Sequence, residues 1–416
     1  MRASDLVTEP SSEPSPGTDG RTGTAEPGTD HVVRPSHLLG WALRSRVAHL
    51  LAPAAVYLLV RQLGLLVLEW MAGRNNTTTT EALTSWDGQW FLAIAHRGYD
   101  GVPYNLVDAF GRRSAETPLA FFPGYPLLVR WTSELPGVGL ITAAFTVSVV
   151  AGVCCAYALV RLGERVGGSR RVGLMLVALF AASPMAVVLS MAYSEALFCA
   201  LAAWALVGVL ERRWLLAGLC CAAAGLVRPT AGALVAAVGL AALVAVVRRR
   251  DGWRPWVAGL LAPVGLLGYL GWVALRTGRW DGWFALQQRG WASKFDWGAA
   301  TWRFTLDALA SGRSVLELGT VWIVGVALVL LVVAVRMRMP WPLVVFAIGV
   351  LVMDLGSNGL MNSKARLLLP AFTLLLPAAI GLARRRPGTA VSVLVGVALF
   401  SAWFGAYSIT SWGYAI

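Results

Sequence analysis

The chain has 416 residues, of which 57% are hydrophobic and only 14% are charged, and its formal net charge is +13. Soluble domains usually carry about 25% charged residues, so this composition excludes an ordinary soluble protein. The positive charge does not indicate nucleic-acid binding, because the basic residues form short clusters between apolar runs, as in membrane proteins.

Residues 1–38 are rich in Ser, Pro, Gly, Thr and acidic residues and contain almost no large apolar side chain. This composition predicts a disordered tail. The segment lacks the apolar core of a signal peptide, so we expect the first helix to remain as a membrane anchor.

Apolar runs recur along residues 39–416, and lipid offers backbone groups no hydrogen-bond partners, so these runs must be helical. We predict an all-α, polytopic membrane domain with about eleven transmembrane helices. The predicted spans are 47–70, 138–160, 172–191, 195–210, 214–228, 230–247, 257–275, 315–335, 341–355, 367–383 and 390–408.

With these spans, the arginine clusters all fall on one side of the membrane, which the positive-inside rule assigns to the cytoplasm together with the N-terminal tail. The segments 71–137, 276–314 and 354–366 then lie on the outer face, and the first two are long. Only two of the 35 basic residues are lysines, a bias that suggests a bacterial source. We therefore predict a bacterial plasma-membrane protein whose chemistry takes place outside.

The first outer segment contains SWDGQWFLAIAHRGYD, residues 85–100. Ser85 or Asp87 can cap a short interfacial helix that stops at Gly98, and Trp86 and Trp90 would share its membrane-facing side. Alternatively, Asp87 can act as a general base that takes a proton from an attacking hydroxyl. The two roles are compatible, because a residue at a helix start is rigidly held.

Two further features of this segment have open interpretations. His96 and Arg97 follow at the far end of the same helix, and we favour a polar interfacial role for His96. In TPLAFFPGYPLLVRW, residues 117–131, prolines prevent one continuous helix. This stretch is either an interfacial re-entry into the membrane or a wall of a substrate groove.

Ionisable residues near or within membrane spans are costly unless they are paired or functional. The chain places several there, and no partner of Arg61 can be named from the sequence. The second outer segment repeats Trp-Asp-Gly at Asp281. The ionisable residues at predicted outer span ends are Glu195, Arg228, Asp354, Lys364 and Arg366.

Other kinds of site are not indicated. The five cysteines lie in apolar runs without metal-ligand spacing, so neither a disulfide framework nor a zinc site is predicted. There is no GxxxxGK[ST] or GxGxxG motif, so a nucleotide site is not supported.

The order of these motifs resembles the PIG-V-like mannosyltransferases of the GT-C superfamily. The resemblance rests on SWDGQW, IAHRGYD, FFPGYP, SEALF, GLVRPTAG, FALQQRGW and SKARLLLP, and it covers residues 47–416. It implies an integral membrane enzyme that moves a sugar, usually mannose, from a polyprenyl-phosphate carrier to an acceptor hydroxyl on the outer face. The acceptor can be a glycan, a glycolipid or a protein.

In such an enzyme, an acid of the first outer loop is the base, a role that the resemblance assigns to Asp87. The leaving phosphate is anionic and needs cations at the outer interface. Glu195 orients a sugar hydroxyl or pairs with Arg228, and Asp281 is a second acid or a substrate contact. The motif has a single Asp, which leaves a divalent metal undecided. The candidate cations are Arg228, Lys364, Arg366 and Arg97.

Two other functions are compatible with the composition. A transporter or flippase of lipid-linked precursors would explain internal charges such as Arg61, although repeated halves are not found. A membrane scaffold would make the outer segments partner surfaces, but it explains their tryptophan content poorly.

Overall fold

The computed structural model describes residues 35–312 and 314–412, with side chains from residue 47 onward. Nearly all of the predicted tail lies outside the described residues. Four short 3-10 helices, Thr117–Ala120, Ala186–Leu189, Met361–Ser363 and Leu369–Leu375, interrupt the α-helices. The α-helices are α1 (Pro35–Arg74), α2 (Thr79–Thr84), α3 (Asp87–Arg97), α4 (Gly124–Ser133), α5 (Leu140–Gly167), α6 (Arg170–Ala181), α7 (Glu195–Leu210), α8 (Trp214–Gly225), α9 (Ala231–Val247), α10 (Arg254–Leu261), α11 (Val264–Thr277), α12 (Gly282–Trp291), α13 (Ala299–Ser311), α14 (Val315–Arg336), α15 (Trp341–Leu355), α16 (Lys364–Leu367), α17 (Leu376–Ala383) and α18 (Pro387–Thr410).

The predicted all-helical membrane fold is confirmed, but the predicted number of spans is not. In the described residues, five helical segments are long and apolar enough to cross a membrane, and a sixth forms if a pair bent by 52° counts as one span. Four shorter apolar helices, α7, α8, α9 and α15, account for other predicted spans. The long segments are Val47–Arg74, Leu140–Gly167, Arg254–Thr277, Val315–Arg336 and Pro387–Thr410.

Proline explains one of these differences. The predicted span 172–191 divides into α6 and the 3-10 helix Ala186–Leu189, on either side of Pro184. The residue before a proline is disfavoured in helical conformation, so α6 ends early. Its 12 residues extend only about 18 Å at 1.5 Å per residue, less than the membrane core.

The partner of Arg61 is now identified. Its side chain is buried in α1, where Nε donates to Ser190 Oγ at 3.1 Å and NH1 donates to the carbonyl of Ala181 at 3.1 Å. Ala181 ends α6, and a cation is favourable beside the carbonyls at a helix C-terminus. Arg61 therefore stabilises the break between α6 and the following 3-10 helix.

The three predicted outer segments contact one another. The first and second meet where Ala109 N–H donates to the carbonyl of Gly290 at 3.1 Å. The second and third meet in an isolated antiparallel bridge between Phe295 and Ser357. These contacts bring the three predicted outer segments together.

Arginines that are predicted to be cytoplasmic contact other residues of the predicted cytoplasmic connections. Arg161 Nε lies 2.5 Å from Glu211 Oε1, and Arg171 donates to the carbonyl of Arg385 at 2.8 Å. The arginine clusters and the outer segments therefore form separate sets of contacts, while the side of the membrane that each occupies stays a prediction.

Glycines let two core helices approach closely. A Cβ added to Gly163 in α5 would lie 2.4 Å from the Cα of Gly173 in α6. Membrane helices use such small residues because van der Waals packing drives their association. The contact places α5 and α6 against each other in the helical core behind the outer segments.

We predict that Gly163→Ala destabilises the protein by about 1–3 kcal/mol, because its methyl group would overlap the backbone of α6. Gly239→Ala in α9 is the matched control, since nothing lies within 4 Å of a Cβ at that position. Thermal unfolding in detergent would test this. Equal unfolding temperatures for the two variants would contradict the packing argument.

Candidate active site

Four charged side chains that are distant in sequence form one chain of ion pairs. Arg366 NH1 lies 2.7 Å from Asp87 Oδ2, and Arg366 Nε lies 3.7 Å from Glu195 Oε1. Arg228 NH1 lies 2.6 Å from the same Glu195 oxygen. Negative and positive side chains therefore alternate in the order Asp87, Arg366, Glu195, Arg228, and the four charges sum to zero.

The chain of ion pairs is buried except at one end. The side chain of Glu195 is 0% exposed, whereas that of Asp87 is 27% exposed. Arg228 and Arg366 are 11% and 9% exposed. Removing one member of a buried pair leaves an uncompensated charge and costs about 3–5 kcal/mol. Because its side chain is the most exposed of the four, Asp87 is the member that a substrate can reach most easily.

The backbone before Asp87 has an unusual conformation. Trp86 adopts φ 55° and ψ −119° immediately before α3, which begins at Asp87 and ends before Gly98. Strained backbone of this kind costs about 1–3 kcal/mol and is concentrated at functional sites. Directly after this turn, the Asp87 carboxylate contacts Arg366.

The predicted helix is confirmed, but its predicted cap is wrong. No side chain caps α3, and Ser85 Oγ donates to the carbonyl of Ala82 at 2.8 Å instead. The predicted shared membrane face of Trp86 and Trp90 is also wrong. Trp86 is 37% exposed, whereas Trp90 is buried and stacks on Phe121 at 5.1 Å, because Trp86 precedes the helix.

Two residues just before α7 complete the site and were not predicted. The hydroxyl of Tyr193 accepts the backbone N–H of Asp87 at 3.3 Å, and its ring lies 5.2 Å from the guanidinium carbon of Arg366. Ser194 Oγ accepts from Arg228 NH1 at 3.1 Å. Their position directly before Glu195 in the SEALF motif was the available signal.

The other predicted site residues lie elsewhere. Lys364 is buried, and its Nζ donates to the carbonyls of Asp354 at 2.6 Å and Ser357 at 2.8 Å. Among the described residues, exposed Arg97 forms no ion pair. Hydrogen bonds from Arg279 hold the pKa of the Asp281 carboxyl below its ordinary value. These predicted substrate contacts therefore do not join the chain of ion pairs.

The FFPGYP segment forms a protein-packed aromatic core. Phe121, Phe122 and Tyr125 are buried, and Tyr125 donates to the carbonyl of Ala144 at 2.9 Å. Phe121 also contacts Trp291 of α12 edge-to-face at 5.6 Å. The segment thus supports α3 and connects it to the second outer segment.

No group of three or more His, Cys, Asp or Glu side chains is arranged to hold a metal ion within 35–312 and 314–412. The residues near Asp87 instead form alternating positive and negative charges. This arrangement can hold a carboxylate in place, and it offers guanidinium donors to an oxyanion.

Part of the chain matches known protein sequences. Residues 67–246 match the family described as mannosyltransferase (PIG-V). GPI alpha-1,6-mannosyltransferase 2 of Mus musculus is 37% identical over 139 residues, which are 31% of this chain and 25% of the mouse protein. The Cricetulus griseus protein of the same name is 36% identical over the same shares. The matched part thus spans a quarter of these relatives.

A solved structure shares the fold. The crystal structure of ArnT from Cupriavidus metallidurans bound to undecaprenyl phosphate superposes with a TM-score of 0.51 at 17% identity, over 82% of this chain and 62% of ArnT. This likeness confirms the predicted GT-C-like fold. The resemblance to PIG-V mannosyltransferases is confirmed over residues 67–246, a region that contains Asp87, Glu195 and Arg228.

Proposed function

We propose that this protein is a membrane mannosyltransferase that transfers mannose from a polyprenyl-phosphate carrier to an acceptor hydroxyl at the outer membrane face. The observation that carries the proposal is the position of Asp87, which is the exposed end of a buried chain of ion pairs and lies within the family-matched region. A carboxylate that is fixed in position and that substrates can reach is suited to proton transfer.

In the proposed reaction, Asp87 is the general base. Arg366 engages Oδ2 at 2.7 Å, while Oδ1 has no hydrogen-bond partner among the described residues. Oδ1 takes the proton of the acceptor hydroxyl as the acceptor oxygen bonds to the anomeric carbon of mannose. The bond from that carbon to the phosphate oxygen breaks, and the polyprenyl phosphate leaves with the electron pair.

The donor phosphate would bind at the guanidinium of Arg366, with Arg228 behind it. Both arginines are already balanced by Asp87 and Glu195, so the phosphate must share or replace one carboxylate partner. Replacement of Asp87 Oδ2 would free the base when the donor is bound. Support for a polyprenyl-phosphate donor comes from the shared fold with ArnT, whose structure contains undecaprenyl phosphate.

Support for the outer-face location comes from the positions of the charges along the chain. The segment with Asp87 contacts the two other predicted outer segments, whereas the arginine clusters that the positive-inside rule assigns to the cytoplasm contact one another. The transporter alternative has lost its main support, because Arg61 binds neutral oxygens within the fold. Arg97 and Asp281 remain proposed contacts for the outer parts of the substrates, whereas buried Lys364 is proposed to hold the third outer segment through the carbonyls of Asp354 and Ser357.

We predict that Asp87→Asn lowers the transfer rate by about 10²–10⁴-fold, the usual contribution of a general base. The measurement is the initial rate of radiolabelled mannose transfer from polyprenyl-phosphate mannose into lipids of the native membrane. Asp307→Asn is the matched control, because Asp307 is exposed on α13. A wild-type rate in folded Asp87→Asn protein would exclude Asp87 as the base.

Arg366 is predicted to act through geometry as well as charge. Its Nε and NH1 face two different carboxylates, which the single ammonium of lysine cannot imitate. We expect Arg366→Gln to reduce kcat at least about 100-fold, and Arg366→Lys to recover only part of that loss. Full recovery by Arg366→Lys, with unchanged donor KM, would mean that charge alone is required.

A further inference from the structure

Two adjoining cavities lie between the first and second outer segments. The larger has a volume of about 750 Å³ and the smaller about 190 Å³, and Arg112 and Arg289 line both. Trp283 Nε1 and Gln287 Nε2 of α12 each donate to the carbonyl of Ala120 at 3.2 Å. The cavities are therefore set between segments that direct hydrogen bonds hold together.

Arg113 lines the smaller cavity and is unusual among its arginines. Its NH2 donates to the carbonyl of Val102 at 3.1 Å, and its guanidinium carbon lies 4.8 Å from the ring of Tyr104 and 5.6 Å from that of Trp90. Its Nε and NH1 are buried and have no hydrogen-bond partner in the part of the chain that the structure describes. Burial also lowers the pKa of this guanidinium. Buried donors without partners are costly.

The neighbouring arginines have carboxylate partners. Arg112 Nε lies 3.3 Å from Asp108 Oδ2, and Arg289 NH2 lies 3.1 Å from Glu116 Oε2. Within 35–312 and 314–412, Arg113 has no carboxylate within ion-pair distance. Three arginines line the smaller cavity, and two of them are paired with acids, so the charge of Arg113 is the one that no described side chain balances.

We infer that the smaller cavity binds an oxyanion of the phosphate class, with Arg113 as its principal ligand and Arg112 and Arg289 beside it. Planar guanidinium groups match phosphate oxygens, and such charge-assisted hydrogen bonds are roughly twice as strong as neutral ones. The phosphate oxygens would supply the partners that Arg113 Nε and NH1 lack. The adjoining larger cavity has room for the polar group that carries the phosphate.

The position of this site relates it to the acceptor, an assignment that rests on the proposed function. Trp90, which Arg113 covers, lies one helical turn after Asp87 on α3. Trp90 stacks on Phe121, and Phe121 contacts Trp291 of the smaller cavity wall. One aromatic layer therefore separates the oxyanion site from the helix that presents the base. The acceptor class that fits is an acidic headgroup whose phosphate is held there.

The test measures binding without any transfer reaction, so its failure is distinguishable from failure of the proposed function. Full-length protein in phosphatidylcholine nanodiscs is titrated calorimetrically with inorganic phosphate and with glycerol 3-phosphate at low ionic strength. We expect binding by the wild type, at least about tenfold weaker binding by Arg113→Gln, and no change in Arg303→Gln. Arg303 is the matched control because it is exposed on α13 and donates to the carbonyl of Ala299 in its own helix.

The two probes distinguish the sources of the phosphate. Tighter binding of glycerol 3-phosphate, together with competition by phosphatidylglycerol added to the nanodiscs, would assign the site to a lipid headgroup. Equal binding of the two probes without lipid competition would assign it to free phosphate. Absence of wild-type binding to either probe, or equal binding by wild type and Arg113→Gln, would overturn the inference.

A second variant covers the case in which Arg113→Gln does not fold. Arg113→Lys keeps the charge but lacks the planar fork, and we expect it to bind glycerol 3-phosphate about three- to tenfold more weakly than wild type. Wild-type affinity in Arg113→Lys would overturn the role of the guanidinium.

Discussion

The buried carboxylate of Glu195 is the constraint on which the arrangement of the site depends. It lies in the helical core with 0% exposure, where an unpaired charge could not be tolerated, and it faces both Arg228 and Arg366. Those two arginines must therefore be placed within a few ångströms of the start of α7. Arg366 in turn determines where Asp87 lies. The reactive carboxylate is held by charge balance inside the protein, and its own helix provides little of that restraint.

A layer of aromatic side chains transmits this arrangement to the outer segments. Phe121 contacts Trp90 and Phe91 of α3 on one side and Trp291 of α12 on the other. Aromatic contacts of this kind add about 0.5–1.5 kcal/mol each beyond the area they bury. The second outer segment is thereby kept close to the helix of the base.

The sequence predicted those parts of the structure that follow from the cost of placing charged groups in apolar surroundings. Ionisable residues in apolar runs must be paired or functional, and on that ground Glu195, Arg228 and Arg366 were candidates beside Asp87. Their pairing could not be predicted, because the contact between Asp87 and Arg366 spans 279 positions. Arg113 was missed because it lies in a polar stretch where one more arginine carries no signal. The apolar runs predicted helices well, but the break at Pro184 shows why eleven full-length spans did not follow.

The separation of Asp87 and Arg366 along the chain also has a consequence for biogenesis. Glu195 begins α7 and Arg228 follows α8, so these two residues can pair as soon as both helices are inserted. Arg366 is synthesised only after α15. Until then, Asp87 lacks its partner, and Glu195 faces one arginine instead of two. A chain that ends before α16 would hold two acids against a single arginine. The site is therefore completed late, and its charge balance depends on correct insertion of the last helices.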